Sequence, residues 1–234
     1  MPERVIAIGD IHGCADAFAA ILKLIEPTQD DTLVVLGDCI DRGPGSRRVI
    51  ELMLDADDRC NLVPLFGNHE EMLLAAVDRP GTAISWLSCG GTDTLVSYGV
   101  ASAQELPREH LLYIRTWKDY YEIDTHFFAH GSYNARVPLD RQEWGYERWQ
   151  SLRDRMPKAH RNGKTAVVGH TSQKDGEVLD ADYLLCIDTY CCGGKWLTAV
   201  DVSNELLWQV DAQGQPRDGR ETPVPVPNRE NPSK

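Results

Sequence analysis

The sequence predicts an α/β fold with two sheets, and three observations carry that prediction. Val5-Ile6-Ala7-Ile8, Thr32-Leu33-Val34-Val35-Leu36 and Leu62-Val63-Pro64-Leu65-Phe66 are short apolar runs of the kind that form buried strands. Each runs into a Gly, then an Asp or Asn, and the loop is followed by a segment with helical spacing, the pattern of a βαβ unit. Near the C-terminal end, the runs 183–187, 196–200 and 206–210 follow one another closely, which predicts an antiparallel meander forming a second sheet.

Taken in order, the first strand leads into Gly9-Asp10-Ile11-His12-Gly13. A helix over about 14–25 follows, with Ala17, Ile21, Leu24 and Ile25 on one face, and Pro27 ends it. The second strand delivers Gly37-Asp38-Cys39-Ile40-Asp41-Arg42-Gly43, and Gly43-Pro44-Gly45 turns the chain into a helix over about 46–54. The third strand ends in Gly67-Asn68-His69-Glu70, where a helix starts that turns Met72, Leu73, Ala76 and Val77 inward. Residues 82–117 carry no ligand pattern. They read as a helical insertion over the face where the strand loops gather, broken at Gly90-Gly91. Two short strands with a turn near Asp124-Thr125 end in His130-Gly131, a helix is expected over 144–152, and the strand 165–168 ends in Gly169-His170-Thr171. Residues 1–212 read as one domain and 213–234 as a flexible, Pro-rich tail.

Composition is that of an ordinary globular chain, with 42% hydrophobic and 26% charged residues. The net charge of -12 argues against a nucleic-acid duplex as partner, because no basic surface is implied. An anionic substrate has to be drawn in by metal ions and local arginines. The seven cysteines are odd in number and none has zinc-ribbon spacing, which predicts reduced thiols in a cytoplasmic protein. No run reaches membrane-spanning length and no leader precedes the first strand, so no membrane partner is expected.

Loops at the C-terminal ends of strands are where ligands bind in open α/β sheets. Six residues at such ends are Asp10, His12, Asp38, Asn68, His130 and His170. They offer oxygen and nitrogen but no thiolate, a set suited to manganese, iron or zinc. Six ligands exceed the need of one ion with an open position and suit two divalent ions, manganese being expected first. Alternation places His126 on the same strand face as His130, but His130 ends its apolar run as the other candidates do, and is preferred. His110 and His160, outside any such setting, read as structural.

The three motifs GDIHG, GDCIDRG and GNHE, in this order and each behind a predicted strand, resemble the signature of the metal-dependent phosphoprotein phosphatase family, bacterial serine/threonine protein phosphatases of the calcineurin-like metallophosphoesterase fold. The resemblance extends to about Asp201. It implies a four-layer α/β/β/α sandwich, two mixed sheets flanked by helices. It implies that Asp38 bridges the ions, with Asp10 and His12 completing the first and Asn68, His130 and His170 the second. A water between them is then the nucleophile, with no covalent phosphoenzyme. His69, paired with Asp41, is implied as the acid that protonates the leaving oxygen, and Arg42 as a fork on the substrate phosphate. A second arginine of the family lies between the two late histidines, where Arg153 fits first and Arg155 second. The arginine that many members place before GNHE is Phe66 here. The implied substrates are phosphoserine and phosphothreonine in phosphoproteins or phosphopeptides. Two alternatives stand beside this reading: a hydrolase of dinucleoside polyphosphates such as diadenosine tetraphosphate, and a metal-binding protein without turnover.

Overall fold

The computed structural model describes residues 4–226. In chain order the strands are β1 (Val5–Ile8), β2 (Thr32–Val35), β3 (Asn61–Pro64), β4 (Tyr120–Glu122), β5 (His126–Ala129), β6 (Thr165–Val168), β7 (Leu179–Asp180), β8 (Leu184–Cys186), β9 (Leu197–Asp201), β10 (Leu206–Val210) and β11 (Val224–Pro225). The α-helices are α1 (Ala15–Ile25), α2 (Ser46–Asp57), α3 (Asn68–Asp78), α4 (Ala83–Trp86), α5 (Thr92–Tyr98), α6 (Arg108–Ile114) and α7 (Trp144–Glu147). None of these helices is long and apolar enough to cross a membrane.

Two mixed sheets face each other, as expected. The first has the order β11-β10-β9-β1-β2-β3 and the second β4-β5-β6-β8-β7. β1, β2 and β3 run parallel, as do β5, β6 and β8. Strand alternation builds three separate cores. Val5, Ala7, Val34 and Val63 point between the sheets and meet Phe128, Val167 and Leu185. Ile6, Ile8, Leu33 and Val35 point outward onto α1 and α2 through Phe18, Ile21 and Ile50. On the other side Phe127, Ala129, Ala166 and Val168 are covered by Tyr133, Leu139, Trp144 and Leu152. A fully buried Phe or Ile in such a layer contributes about 1.5–3 kcal/mol.

Local signals explain the elements. α1 ends where Glu26 takes a left-handed conformation, its N–H donating to the Leu22 carbonyl, just before Pro27. In α3 the Glu70 carboxylate reaches back to the Gly67 N–H at 3.0 Å, closing the first turn.

Three expectations are corrected. The runs near the C-terminal end are not one meander. β8 lies in the second sheet, parallel to β6, whereas β9 and β10 cross to the first sheet and pair antiparallel beside β1. The helix expected over 144–152 is a single turn, so the outer layer over the second sheet is made mostly of loops. The packed structure does not end at residue 212: β11 pairs with β10 and Val226 is buried. The remainder of the expected tail, 227–234, lies outside the described residues.

Candidate active site

Six parallel strand ends converge. The loops after β1, β2 and β3 carry Asp10 and His12, Asp38, and Asn68; those after β5, β6 and β8 carry His130, His170 and Asp188. All but His170, which is half-buried, are buried, with Asp10 at 3%, Asp38 at 2% and Asp188 at 3% exposure.

Asp38 is at the centre. Its Oδ1 accepts the His69 N–H at 3.1 Å, at the N-terminus of α3 where backbone donors favour an anion. Its two oxygens also lie 3.5 Å from His12 Nε2 and 3.3 Å from His130 Nε2. Asn68 Oδ1 stands 2.9 Å from both His130 Nε2 and His170 Nδ1. Among the described residues, two groups of side chains are close enough to hold a cation, His12–Asp38–His69 and Asp38–His130–His170, and they share Asp38. The first contains His69 where Asp10 was expected. Both Asp10 oxygens instead accept the His170 N–H at 3.1 Å.

The donors fit divalent ions. His12 Nδ1 donates to the Ile40 carbonyl at 3.0 Å and His130 Nδ1 to the Leu36 carbonyl at 2.8 Å. These bonds fix both rings and leave each Nε2 directed inward, as ligating histidines are usually held. Burial lowers His12 to about 3 and His130 to about 4, so both are neutral imidazoles with a lone pair to give. Burial pushes the Asp38 carboxyl up, but the positive charge the surrounding histidines carry when protonated outweighs it, so the net shift is downward. Asp10 is raised well above the carboxylate range by burial and then by the Asp188 and Asp38 charges. A buried cluster with this many carboxylates is electrostatically incomplete until cations enter it.

A second constellation adjoins the first. His69 Nδ1 lies 2.7 Å from Asp41 Oδ2. Asp41 is wholly buried and also accepts from the Trp86 indole N–H at 2.9 Å and the Thr94 hydroxyl at 2.7 Å. Burial lowers the His69 pKa, but the Asp38 charge and the Asp41 bond outweigh it, so the net shift is upward. Arg42 spans the two constellations: NH1 is 2.7 Å from His12 Nε2 and NH2 2.9 Å from His69 Nε2. The insertion therefore does contribute to the site, through Trp86 and Thr94. Its Gly90, with φ +114°, lies against Arg42, where a Cβ would stand 2.7 Å from the Arg42 nitrogen.

Left-handed backbone is concentrated here: His12, Asp38, Asp41, Arg42 and His170 have φ between +44° and +71°. Such residues persist only where their surroundings over-determine them. Glu70 supplies part of that constraint, accepting the N–H groups of Asp38, Cys39 and Gly67 at 2.9–3.0 Å. The glycine of GNHE allows neighbouring loops to close up: a Cβ on Gly67 would stand 2.3 Å from Asp38 Oδ1.

Arg153 is not brought into the cluster. It is exposed, and its guanidinium donates to the Ser172 carbonyl. Arg155 lines a separate cavity of about 640 Å³ with Arg136, Lys158 and Arg161. Over Phe66 lies the guanidinium of Arg148, 4.8 Å from the ring centroid, but Arg148 is committed to ion pairs with Glu71 and Asp119. His126 sits at the start of β5, next to the Thr125 hydroxyl, whereas His130 is at the strand's other end among the cluster. Sequence reasoning missed Trp86, Thr94 and Asp188. Trp86 and Thr94 carry no local signal. Asp188 does, since it follows the apolar run of β8 much as Asp38 follows that of β2.

Comparison with known proteins agrees with this architecture. The profile of the calcineurin-like phosphoesterases matches residues 3–200. The chain is similar to symmetrical bis(5'-nucleosyl)-tetraphosphatases, at 44% identity over 70 residues for that of Delftia acidovorans and 46% over 71 for that of Acidovorax ebreus. Each match spans 30% of this chain and only 24% of the relative. Among solved structures, a protein provisionally described as a diadenosine tetraphosphatase superposes with a TM-score of 0.70 at 24% identity, covering 90% of this chain and 95% of that one. A cold-active protein-tyrosine phosphatase of Shewanella superposes with 0.65 at 18% identity, covering 93% and 80%. Those two likenesses are of fold. The profile match over most of the chain, on a two-sheet scaffold whose strand ends gather the three motifs, makes this protein a member of the calcineurin-like phosphoesterase family.

Proposed function

We propose that the chain is a dimetal phosphohydrolase that cleaves dinucleoside tetraphosphates symmetrically, water adding at one of the two inner phosphates and two nucleoside diphosphates leaving. The observation that carries this reading is the similarity, over 70 and 71 residues, to symmetrical tetraphosphatases. Trp149 supports it. The residue is 41% exposed, its indole N–H donates to Glu71 at 3.2 Å, and its backbone hydrogen-bonds the His170 ring, so an exposed aromatic residue adjoins the site and offers a surface for a nucleobase.

In this reading Asp10, His12, Asp38, Asn68, His130 and His170 hold two divalent ions, manganese by preference. Bound ions of this kind lower the pKa of water and neutralise phosphate oxygens. Arg42, with two inward N–H edges, forks onto the phosphate under attack. His69 carries the proton at Nε2 that the leaving oxygen takes up, and Asp41 holds the ring by Nδ1. Trp86 and Thr94 keep Asp41 in place and away from water.

The His69–Asp41 pair favours a second reading, hydrolysis of phosphoserine or phosphothreonine, because an alkoxide leaving group needs a proton more than a nucleotide phosphate does. One experiment separates the two. Metal-free protein supplemented with manganese is given diadenosine tetraphosphate or a phosphothreonine peptide, with Asp38→Asn as control. ADP as the sole product of the dinucleotide, lost in the variant, is expected. Phosphate from the peptide with the dinucleotide untouched would replace the first reading by the second.

A further inference from the structure

Asp188 follows β8 as Asp38 follows β2, and it belongs to neither constellation described above. It is 3% exposed. Its Oδ1 accepts the Tyr190 N–H at 3.1 Å, which shapes the turn into the next loop. Its Oδ2 is buried and has no hydrogen bond of ordinary geometry, one of five such side-chain atoms among the described residues, although the Ser172 hydroxyl lies near enough to pull the Asp188 pKa down. An unpartnered carboxylate oxygen in a protein interior is costly, and the cost rises when other carboxylates are near. Here they are near. After burial, Asp188 is the strongest influence on Asp10; Asp188 is itself raised by burial, lowered by the Ser172 hydroxyl and the Tyr190 N–H, and then felt by the Asp38 and Arg42 charges. The loop is pressed against the first motif: a Cβ on Gly9 would stand 2.4 Å from the Ile187 carbonyl oxygen. Tyr190, two residues on, is itself left-handed at φ +64°, so the turn that buries Asp188 is held against backbone preference.

A turn alone needs only Oδ1, and Asn or Ser would supply that acceptor without burying a charge. We infer that Asp188 is a seventh residue of the metal centre, a positioning carboxylate whose buried Oδ2 and charge favour the cation on the Asp10 side. The inference rests on the dimetal reading proposed above. It adds a residue contributed by a sixth strand end, from the second sheet, to the side of the centre that the first sheet supplies. With a cation bound on that side, Oδ2 would accept a hydrogen bond from its hydration shell or face it directly. In either case a bound cation would offset the burial of this carboxylate beyond what the Tyr190 N–H and the Ser172 hydroxyl already supply.

Two variants test this. Asp188→Asn keeps the shape and the Oδ1 acceptor but removes the charge; Asp188→Ser keeps a short acceptor if the amide is not tolerated. Manganese binding is measured by titration calorimetry on chelator-stripped protein, and thermal unfolding with and without manganese. The expected result is a loss of about 10–100-fold in affinity for one of two ions, while the metal-free unfolding temperature is unchanged or higher. A purely structural carboxylate would lower the metal-free and metal-bound unfolding temperatures alike and leave affinity as it was, and that result overturns the inference. Wild-type protein that does not take up two ions would instead overturn the dimetal reading itself.

Discussion

Replacing His69 by Asn probes the acid role most sharply. His69 is buried at 1% exposure, with Nδ1 on Asp41 at 2.7 Å and Nε2 at the Arg42 edge, 2.9 Å from NH2. Asn is shorter but its amide can still donate to Asp41, so the buried carboxylate keeps a partner. What disappears is a protonated nitrogen facing the phosphate. Positioned proton transfer contributes about 10²–10⁴-fold, or about 2.7–5.5 kcal/mol of transition-state stabilisation. That full loss is expected in kcat on a phosphothreonine peptide, whose leaving alkoxide must be protonated. On p-nitrophenyl phosphate, whose leaving phenolate is stable, the loss should be far smaller, and on diadenosine tetraphosphate intermediate. Metal content decides between two roles, because His69 is also within ligating range of His12 and Asp38. Steady-state kinetics on the three substrates, with metal analysis of each preparation, is the assay. An equal loss on all three substrates refutes the acid role, and loss of an ion makes His69 a ligand.

Other outcomes follow from the same geometry. Arg42→Lys should lower kcat/KM by about 10–150-fold, the effect of one charge-assisted hydrogen bond of about 1.5–3 kcal/mol, with metal content intact by elemental analysis. Trp86→Phe removes one donor to the wholly buried Asp41; denaturant unfolding should report a stability loss of about 1.5–3 kcal/mol. Trp149→Ala should raise KM for diadenosine tetraphosphate by about 5–150-fold, the range of one base stacking at about 1–3 kcal/mol, and leave p-nitrophenyl phosphate kinetics unchanged. For pH, the His69 pKa is raised above 6.5 in the fold. An acid must be protonated to act, so activity on the phosphothreonine peptide should fall as pH rises through that raised value. Asp41→Asn, which removes a supporting charge, should move the fall to lower pH.

The first sheet's parallel half and the gathering of most of the candidate ligands were legible because their signal is local. Each apolar run is contiguous with the loop it feeds, so Asp10, His12, Asp38 and Asn68 are tied by covalent distance to strand ends. The placement of β9 and β10 was not legible. Alternation in 196–200 and 206–210 is the same whichever sheet receives the hairpin, and the choice depends on the pairing of Ile6, Ala7 and Ile8 with Asp201, Val200 and Ala199, nearly 200 residues away. Trp86 and Thr94 were hidden for a similar reason, since they reach Asp41 across 45 and 53 residues of sequence. Arg153 fits the family's second arginine only by its position between two histidines. Its loop turns the side chain onto the Ser172 backbone, and no pattern in the sequence encodes that direction.

Both candidate ligand groups contain Asp38, so a cation pair built on that shared carboxylate is expected. Manganese stoichiometry, measured by elemental analysis after reconstitution and removal of free ion, tests it most directly. About two ions per chain are predicted for the wild type, with binding weakened at both positions in Asp38→Asn. One ion in the wild type, or two ions held undiminished by the variant, would contradict it.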